Sequence, residues 1–151
     1  MDSNFMARFF KEAKRVLKPG GTFAAYMFQM EDLCDEEANK AYEEFYTTMK
    51  DYLTSKLLII AHKYETIDFP FHCIKRLDIQ VMMEMTIDQF KGYMASCHFW
   101  PPYSQANPTT NILDDFMIRL QRIFGNGTTP SAEVNMTVYR KLFLVLGRNQ
   151  K

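Results

Sequence analysis

Two pairs of adjacent cysteine and histidine residues have side chains that could bind a metal ion. His72 stands beside Cys73, and Cys97 stands beside His98. Zinc prefers thiolate and imidazole ligands, but a closed zinc site needs a spacing such as C-x-x-C or H-x-x-x-H. Adjacent residues on an extended strand instead point to opposite faces. The spacing therefore indicates half-buried structural residues, and no metal site is expected.

Nucleophilic catalysis also lacks its sequence signature. No G-x-S-x-G segment is present, so a Ser/His/Asp hydrolase is not predicted, and the three histidines are interpreted as ordinary polar or edge residues. Three cysteines are an odd number in a chain without a signal-peptide pattern, which favours free thiols over a disulfide framework. The sequence assigns no catalytic residue.

One Gly-x-Gly, at residues 125–127, has the spacing of a phosphate cradle. A nucleotide-binding turn follows a strand and opens a helix. This glycine pair instead follows a predicted helix that runs from about Asn111 to Phe124, so Gly125 is expected to end that helix. No strand followed by G-x-G occurs, and no cofactor-binding residue is assigned.

The elements that must position any site begin with residues 9–26, FFKEAKRVLKPGGTFAAY. Apolar residues recur every three or four positions as far as Leu17, as on one stripe of an amphipathic helix. Pro19 and two glycines end the helix, and the apolar run Thr22–Phe28 is typical of a strand buried on both faces. Helix, turn and buried strand form half of an α/β unit.

Two further helices and two strands are predicted downstream, besides the helix that ends at Phe124. A helix with its apolar stripe between Ala38 and Leu53, which includes Tyr42, follows a run of acidic residues that begins at Glu31 and suits a helix start. Alternation over Leu77–Met85 predicts a half-buried strand, and Thr86 with Gln89 predicts a capping box for the next helix. A final strand within residues 134–146 is predicted to be central in the sheet.

Two segments are predicted to be irregular. Residues 97–110 contain three prolines and are interpreted as a connecting loop. The run Leu57–Ala61 is too short to assign by its period and is interpreted as a loop or short strand.

Parts of this pattern resemble class I S-adenosylmethionine-dependent methyltransferases. Residues 15–21, RVLKPGG, with the TFAAY of residues 22–26, are similar to the helix end, turn and fifth strand of that family. Residues 86–96, TIDQFKGYMAS, resemble a helix of the methyltransferase type 11 branch that includes trans-aconitate methyltransferase. That helix leads into a motif near S-W-S-x-Y, of which Ser96 keeps the first serine and Trp100 an aromatic end.

The resemblance covers nearly the whole chain but implies only the C-terminal half of such an enzyme. Eight residues precede Phe9, where the family has a donor-binding half. S-adenosylmethionine is the cofactor of the full-length family. Because the glycine-rich turn and the acidic ribose-binding residue are absent, the chain alone is expected to bind no cofactor.

The resemblance also implies an acceptor site. The loop after the type 11 helix contacts a small-molecule acceptor, for which a carboxylate is expected. Ser96, Trp100 and Tyr103 are the corresponding substrate-binding residues of this chain. Packing is their alternative role, since aromatic residues at helical spacing usually belong to the core.

The expected fold is α/β, a partial Rossmann-like methyltransferase fold. A short mixed sheet of about three strands would pack with about four helices, within a single domain over residues 1–151. Family topology inserts the final, antiparallel strand between the strands near 22–28 and 77–85. The other edge of strand 22–28 would then lie open, which predicts a homodimer or a strand-donating partner.

Composition narrows the remaining classes of function. Eighteen basic and eighteen acidic residues give a formal net charge of zero, which argues against a nucleic-acid partner. No apolar run is long enough to span a membrane, so a cytoplasmic protein is expected. Two functions stay open: the C-terminal part of a small-molecule methyltransferase, inactive as the isolated chain, and a non-catalytic binding or assembly module that uses the open sheet edge.

Overall fold

A computed structural model describes residues 3–53 and 62–150 and confirms the α/β class. The predicted loop or strand at Leu57–Ala61 lies outside the described residues. In chain order the elements are α1 (Ser3–Val16), β1 (Thr22–Phe28), α2 (Glu36–Thr48), a short 3-10 turn (Lys50–Tyr52), β2 (His72–Thr86), α3 (Ile87–Ser96), α4 (Trp100–Ala106), α5 (Ile112–Phe124) and β3 (Asn135–Arg148).

The helix, turn and strand of the α1–turn–β1 motif form as predicted, and Asn149 from beyond β3 closes the motif. The prediction that β1 is buried on both faces is wrong, because its residues alternate between exposed and partly buried. Gly20 has a φ of 73°, the left-handed conformation that suits glycine. Its N–H donates to the Asn149 carbonyl oxygen at 2.8 Å. The buried Asn149 side chain donates in turn to the carbonyl oxygens of Leu17 at 3.0 Å and Lys14 at 3.2 Å. These bonds satisfy carbonyl groups that the end of a helix leaves open.

The prediction of a continuous loop at residues 97–110 is wrong, because Trp100–Ala106 form helix α4. Two prolines follow Trp100 in the first turn of α4. Proline is tolerated there, since the first turn has no intrahelical partner for the missing N–H. This helix accounts for the difference between the four helices expected and the five described.

The three strands form one antiparallel sheet in the order β1-β3-β2. The final strand is therefore central, as predicted. In the β1–β3 pair, Thr22 lies opposite Arg148 and Phe28 lies opposite Leu142. Among the described residues, β1 and β2 are the two edge strands. β2 begins five residues before the alternating segment, and it is mostly exposed, so the prediction of a half-buried strand is wrong.

The chain divides into two compact units. Unit 1 consists of Met1–Met30, Ser55–Val81 and Lys141–Lys151, and unit 2 consists of Glu31–Thr54 and Met82–Arg140. The expectation of a single domain over residues 1–151 stays a prediction. In the part of the chain that the structure describes, no helix has the length and apolar character needed to cross a bilayer.

Each unit has its own hydrophobic core. Among the described residues of unit 1, the core buries four side chains: Phe10, Phe69, Phe71 and Val145. Phe23 of β1 stacks on Phe71 with 4.5 Å between the ring centroids. The core of unit 2 buries eighteen side chains, which come from α2, α3, α4, α5, the amino-terminal half of β3 and the segments beside them.

Candidate functional site

The predicted acceptor residues lie in unit 2, and two of them are brought together. Trp100 and Tyr103 lie one turn apart on α4, with 5.8 Å between their ring centroids. Trp100 also stacks on Phe45 at 6.3 Å, and the buried Tyr103 packs edge-on against Tyr52 at 5.3 Å. The visible role of these two rings is packing, and their contact with an acceptor stays a prediction.

Ser96 lies at the exposed end of α3. Its hydroxyl donates to the carbonyl oxygen of Tyr93 at 2.7 Å. The Cys97 thiol lies 3.4 Å from the same oxygen. Ser96 is therefore connected through the Tyr93 backbone to a second polar cluster, which the sequence did not predict.

We call this cluster the Glu31 centre; it consists of Glu31, Tyr42, Tyr93 and Arg140. Glu31 is only 4% exposed. One carboxylate oxygen accepts from the Tyr42 hydroxyl at 2.7 Å. The other accepts from the Tyr93 hydroxyl at 2.6 Å and from Arg140 Nε at 3.0 Å. A second Arg140 nitrogen lies 2.8 Å from that oxygen, so the buried charge is both paired and hydrogen-bonded.

Backbone pairing places Glu31 beside Arg140. Asp32 and Tyr139 each donate an N–H to the other's carbonyl oxygen at 2.8 Å. This isolated bridge continues from the β1–β3 pair and holds the segment after β1 against β3. Glu31 lies three residues beyond Phe28, at the carboxyl end of β1.

Helix caps place the two tyrosines of the centre. The Asp35 side chain accepts from the Ala38 N–H at 2.9 Å and starts α2, which carries Tyr42. The predicted capping box of Thr86 and Gln89 is confirmed and starts α3, which carries Tyr93. Each cap satisfies N–H groups of a first helical turn. The positions of both hydroxyls therefore follow from helix starts that the sequence encodes locally.

The environment keeps the phenols and the nearby thiol protonated. Burial, reinforced by the Glu31 charge, raises the pKa of Tyr42 far above its usual value. Burial and the hydrogen bond to Glu31 raise the pKa of Tyr93 in the same direction. Burial and Glu31 also raise the pKa of Cys97 to about 11. Cys97 is therefore a thiol at neutral pH and a poor nucleophile.

The Glu31 centre is suited to hold structure rather than to perform covalent chemistry. The Arg140 guanidinium lies 4.8 Å from the Tyr93 ring centre, a cation–π distance. The carboxylate thus connects the segment after β1 with α2, α3 and β3. A fixed polar group of this kind orients neighbouring side chains, and breaking a buried pair is costly.

Two signals in the sequence point to this centre. Glu31 was assigned to the acidic run before α2, and Tyr42 to an apolar stripe. However, Glu31 closely follows the carboxyl end of an apolar strand, where α/β proteins place ligand-binding and polar groups. Arg140 places a charge within the final, otherwise largely apolar strand.

The other motifs have structural roles where the chain is described. Gly125 ends α5, as predicted, with its N–H donating to the Gln121 carbonyl oxygen at 3.0 Å. The oxygen of the Asn126 side chain accepts from the N–H groups of Thr128 at 3.0 Å and Thr129 at 2.9 Å. All three cysteines are free. The described residues contain no group of three or more His, Cys, Asp or Glu placed to hold a metal ion.

Comparison with solved structures identifies the fold. No protein-family model matches the chain, and no curated protein matches its sequence. A solved structure of a protein provisionally assigned as a type II methyltransferase from Anaeromyxobacter dehalogenans matches with a TM-score of 0.76 and 20% identity. The match covers 99% of this chain and 61% of that one. The chain therefore has a methyltransferase fold, and it spans about three-fifths of the length of that protein.

Proposed function

We propose that this chain forms the acceptor side of a class I S-adenosylmethionine-dependent methyltransferase of the type 11 branch, acting on a small carboxylate in the cytoplasm. The observation that carries the proposal is the methyltransferase fold over 99% of the chain. The RVLKPGG turn supports it, because this segment forms the end of α1 and the turn into β1. The fold alone does not define an activity, so the site must support it.

The positions of the polar residues agree with an acceptor side. β1 and β2 both run antiparallel to β3 and therefore in the same direction, and in open α/β sheets ligands bind beyond the carboxyl ends of strands that share a direction. Glu31 follows the carboxyl end of β1, and α3 follows the carboxyl end of β2 directly. Ser96, Trp100 and Tyr103 lie at the end of α3 and on α4. These residues are proposed to bind and orient the acceptor, with the Glu31 centre fixing the helix that carries Ser96.

The residues of the chain do not fit the methyl donor. Its usual cradle is a glycine-rich turn with free N–H groups after a strand. The Gly-x-Gly of this chain follows α5, and the Asn126 side chain accepts from the N–H groups of the loop behind it. We therefore propose that the isolated chain is inactive and that a donor-binding half completes the enzyme. Methyl transfer then depends chiefly on proximity and alignment.

Isothermal titration calorimetry tests the donor part of the proposal. S-adenosylmethionine titrated into the isolated chain is expected to give no binding heat at micromolar concentrations. One-to-one binding with a micromolar Kd would show that a donor site exists in this chain and would overturn this part.

A transfer assay tests the acceptor part. The chain would be mixed with a separately expressed donor-binding half and labelled S-adenosylmethionine, and small carboxylates would be supplied as acceptors. We expect methyl ester formation that a Trp100→Ala substitution reduces more than ten-fold, while Trp100→Phe retains most of it. If the donor half binds S-adenosylmethionine but no acceptor is methylated, the proposed methyltransferase function is contradicted.

A second candidate function is a non-catalytic assembly module that uses the open edge of β1. Gln29 N–H donates to the Lys141 carbonyl oxygen at 2.9 Å. Because hydrogen-bonded pairs alternate along an antiparallel ladder, Ala25 faces β3 with its backbone groups, whereas Ala24 and Tyr26 direct theirs to the opposite edge. Tyr26 is also 66% exposed. This edge is a template for another strand.

Light scattering distinguishes the assembly function. Concentration-dependent dimers are expected. Ala24→Pro should dissociate them, because it removes an N–H from the open edge and leaves the hydrogen bonds between β1 and β3 in place. Ala25→Pro is the matched control and should destabilise the β1–β3 pair instead. A wild-type chain that stays monomeric at high concentration argues against this candidate.

A further inference from the structure

A concave groove in unit 1 lies along α1. It has a volume of about 810 Å³ and is bounded by α1 and by the segment that precedes β2. Met6 and Phe10 of α1 and Ile67 and Pro70 of the facing segment form its apolar part. Small-molecule sites have volumes of roughly 300–1,000 Å³, with apolar walls and few polar groups. The groove has the size and lining of such a site.

Positive charge is concentrated on one wall of this groove. Lys11 and Lys14 lie three residues apart on α1, so both ammonium groups reach the same side of the helix. The Lys14 ammonium lies 5.7 Å from the centre of the Phe71 ring, a cation–π contact that holds it near the wall. One acidic residue, Asp68, also lines the groove. Two ammonium groups against one carboxylate leave the lining positive.

Among the described residues, neither Lys11 nor Lys14 takes part in an ion pair. On α1 the pair is Arg15 with Glu12, at 2.7 Å. No carboxylate of a described residue lies within ion-pair distance of Lys11 or Lys14. An anionic group at this wall would therefore gain charge-assisted hydrogen bonds without breaking an ion pair of the described residues.

We propose that the groove binds one amphiphilic carboxylate, with its chain against Met6, Phe10 and Ile67 and its head group between Lys11 and Lys14. A small ligand fits better than a protein surface, because the site is concave and its charges lie on one wall. The inference does not depend on the proposed methyltransferase activity. Every residue that carries it belongs to unit 1, whereas the proposed acceptor residues belong to unit 2.

Titration calorimetry of the isolated chain with decanoate, below the concentration at which it forms micelles, tests the groove. One-to-one binding with a Kd on the order of 100 μM is expected for a ligand of this size. Decanol, which lacks the charge, should bind at least ten-fold more weakly. Equal binding of acid and alcohol, or no decanoate binding at millimolar concentration, would overturn the proposal.

Variants locate the binding. The double substitution Lys11→Gln with Lys14→Gln should weaken decanoate binding about ten-fold, and Ala7→Trp should block the groove, because Ala7 lines it and is exposed. Lys18→Gln is the matched control, since Lys18 is an exposed cation just beyond α1 and outside the lining. An equal loss from Lys18→Gln would indicate nonspecific attraction to a basic helix.

Anionic vesicles provide the last comparison. Phosphatidylglycerol vesicles are tested for sedimentation of the chain and for competition with decanoate, and the comparison is between the wild type and Ala7→Trp. Equal effects on the two proteins would show that the lysines bind a membrane surface, and they would overturn the proposal of a ligand groove. Thermal melting of each variant checks that unit 1 is intact. If the lysine double variant does not fold, Ala7→Trp still decides the outcome, because it changes no charge.

Discussion

Among the residues that the structure describes, unit 1 and unit 2 bury very different numbers of core side chains. The described part of unit 1 buries four core side chains, three of them phenylalanine, and its ion pairs, such as Lys63 with Asp78, are exposed. Unit 2 buries eighteen core side chains and places a carboxylate and its arginine partner among them. The segment that resembles methyltransferases most clearly, RVLKPGG, belongs to unit 1. The buried and hydrogen-bonded ion pair of Glu31 and Arg140 belongs to unit 2.

This difference shows that a family motif and a polar centre need not coincide. RVLKPGG is local, because it specifies a helix end and a turn within seven residues. The Glu31 centre is assembled from four segments, and Glu31 is 109 residues from Arg140. A pattern search recognises the first kind of feature more easily than the second. Substitutions and pH changes in each unit measure whether the two units also differ in their free energy of unfolding.

Arg140→Met should have the largest effect. It leaves the Glu31 carboxylate buried without its cation, which costs about 3–5 kcal/mol in the free energy of unfolding. Urea unfolding followed by circular dichroism measures it. The exposed pair of Lys91 and Asp114, 2.6 Å apart, supplies the control, since Lys91→Met should cost less than about 1 kcal/mol.

The double variant Glu31→Gln with Arg140→Met sharpens this result. Removing both charges should recover part of the loss, because no ion is left unpaired. A double-mutant cycle gives the coupling energy. Equal losses from Arg140→Met and Lys91→Met would mean that the Glu31 centre is no more constrained than a surface pair.

Gly147→Ala tests the packing of unit 1 and should have an intermediate effect. A Cβ at residue 147 would lie 2.6 Å from the Cβ of Phe71 and 2.9 Å from Cδ1 of Ile74. Such overpacking typically costs about 1–3 kcal/mol. The control is Gly92→Ala on α3, where no neighbouring atom lies within 4 Å and helix propensity should add roughly 0.5–1 kcal/mol of stability. If Gly147→Ala proves neutral, the core of unit 1 is loosely packed.

The pH dependence of unit 2 should show the smallest effect. Because folding raises the pKa of Tyr42, its contribution to stability is complete below the unfolded value near 10 and is lost as the pH rises towards the folded value. Between pH 10 and 11 the wild type should lose about 1 kcal/mol more than Tyr42→Phe. The quantity to compare is the slope of the free energy of unfolding against pH. The absolute stability is not informative, because Tyr42→Phe removes a hydrogen-bond donor to Glu31 and so lowers stability at every pH.

Urea unfolding at three alkaline pH values measures these slopes. Tyr26→Phe, which changes an exposed tyrosine of β1, is the matched control and should keep the wild-type slope. Parallel curves for the wild type and Tyr42→Phe would contradict the burial of the Tyr42 hydroxyl against Glu31.

Much of the fold was predictable where the signal lies within a few neighbouring residues. Pro19 and Gly20 predict the end of α1, and Thr86 with Gln89 predicts the start of α3, because caps act within one helical turn. The central position of β3 followed from its apolar residues and from the resemblance. Helix α4 was missed because its prolines indicate a loop until their place in a first turn is known.

The candidate site was predictable only in part. Ser96, Trp100 and Tyr103 were predicted by resemblance, and their proposed role depends on an acceptor. Glu31 was read as one of several acidic residues before a helix, because nothing adjacent in the sequence indicates its burial. A long-range pair with arginine has no local pattern, whereas a cap or an amphipathic stripe does.

The sequence by itself determined the helices with strong periods, the glycine and proline stops, and the order of strands and helices along the chain. It did so because backbone conformation and side-chain period act between near neighbours. Only the tertiary structure decided which charges are buried. It pairs Glu31 with Arg140, and it places two lysines of α1 on the wall of an apolar groove. Those properties depend on desolvation and on contacts between distant segments, which no stretch of sequence contains alone.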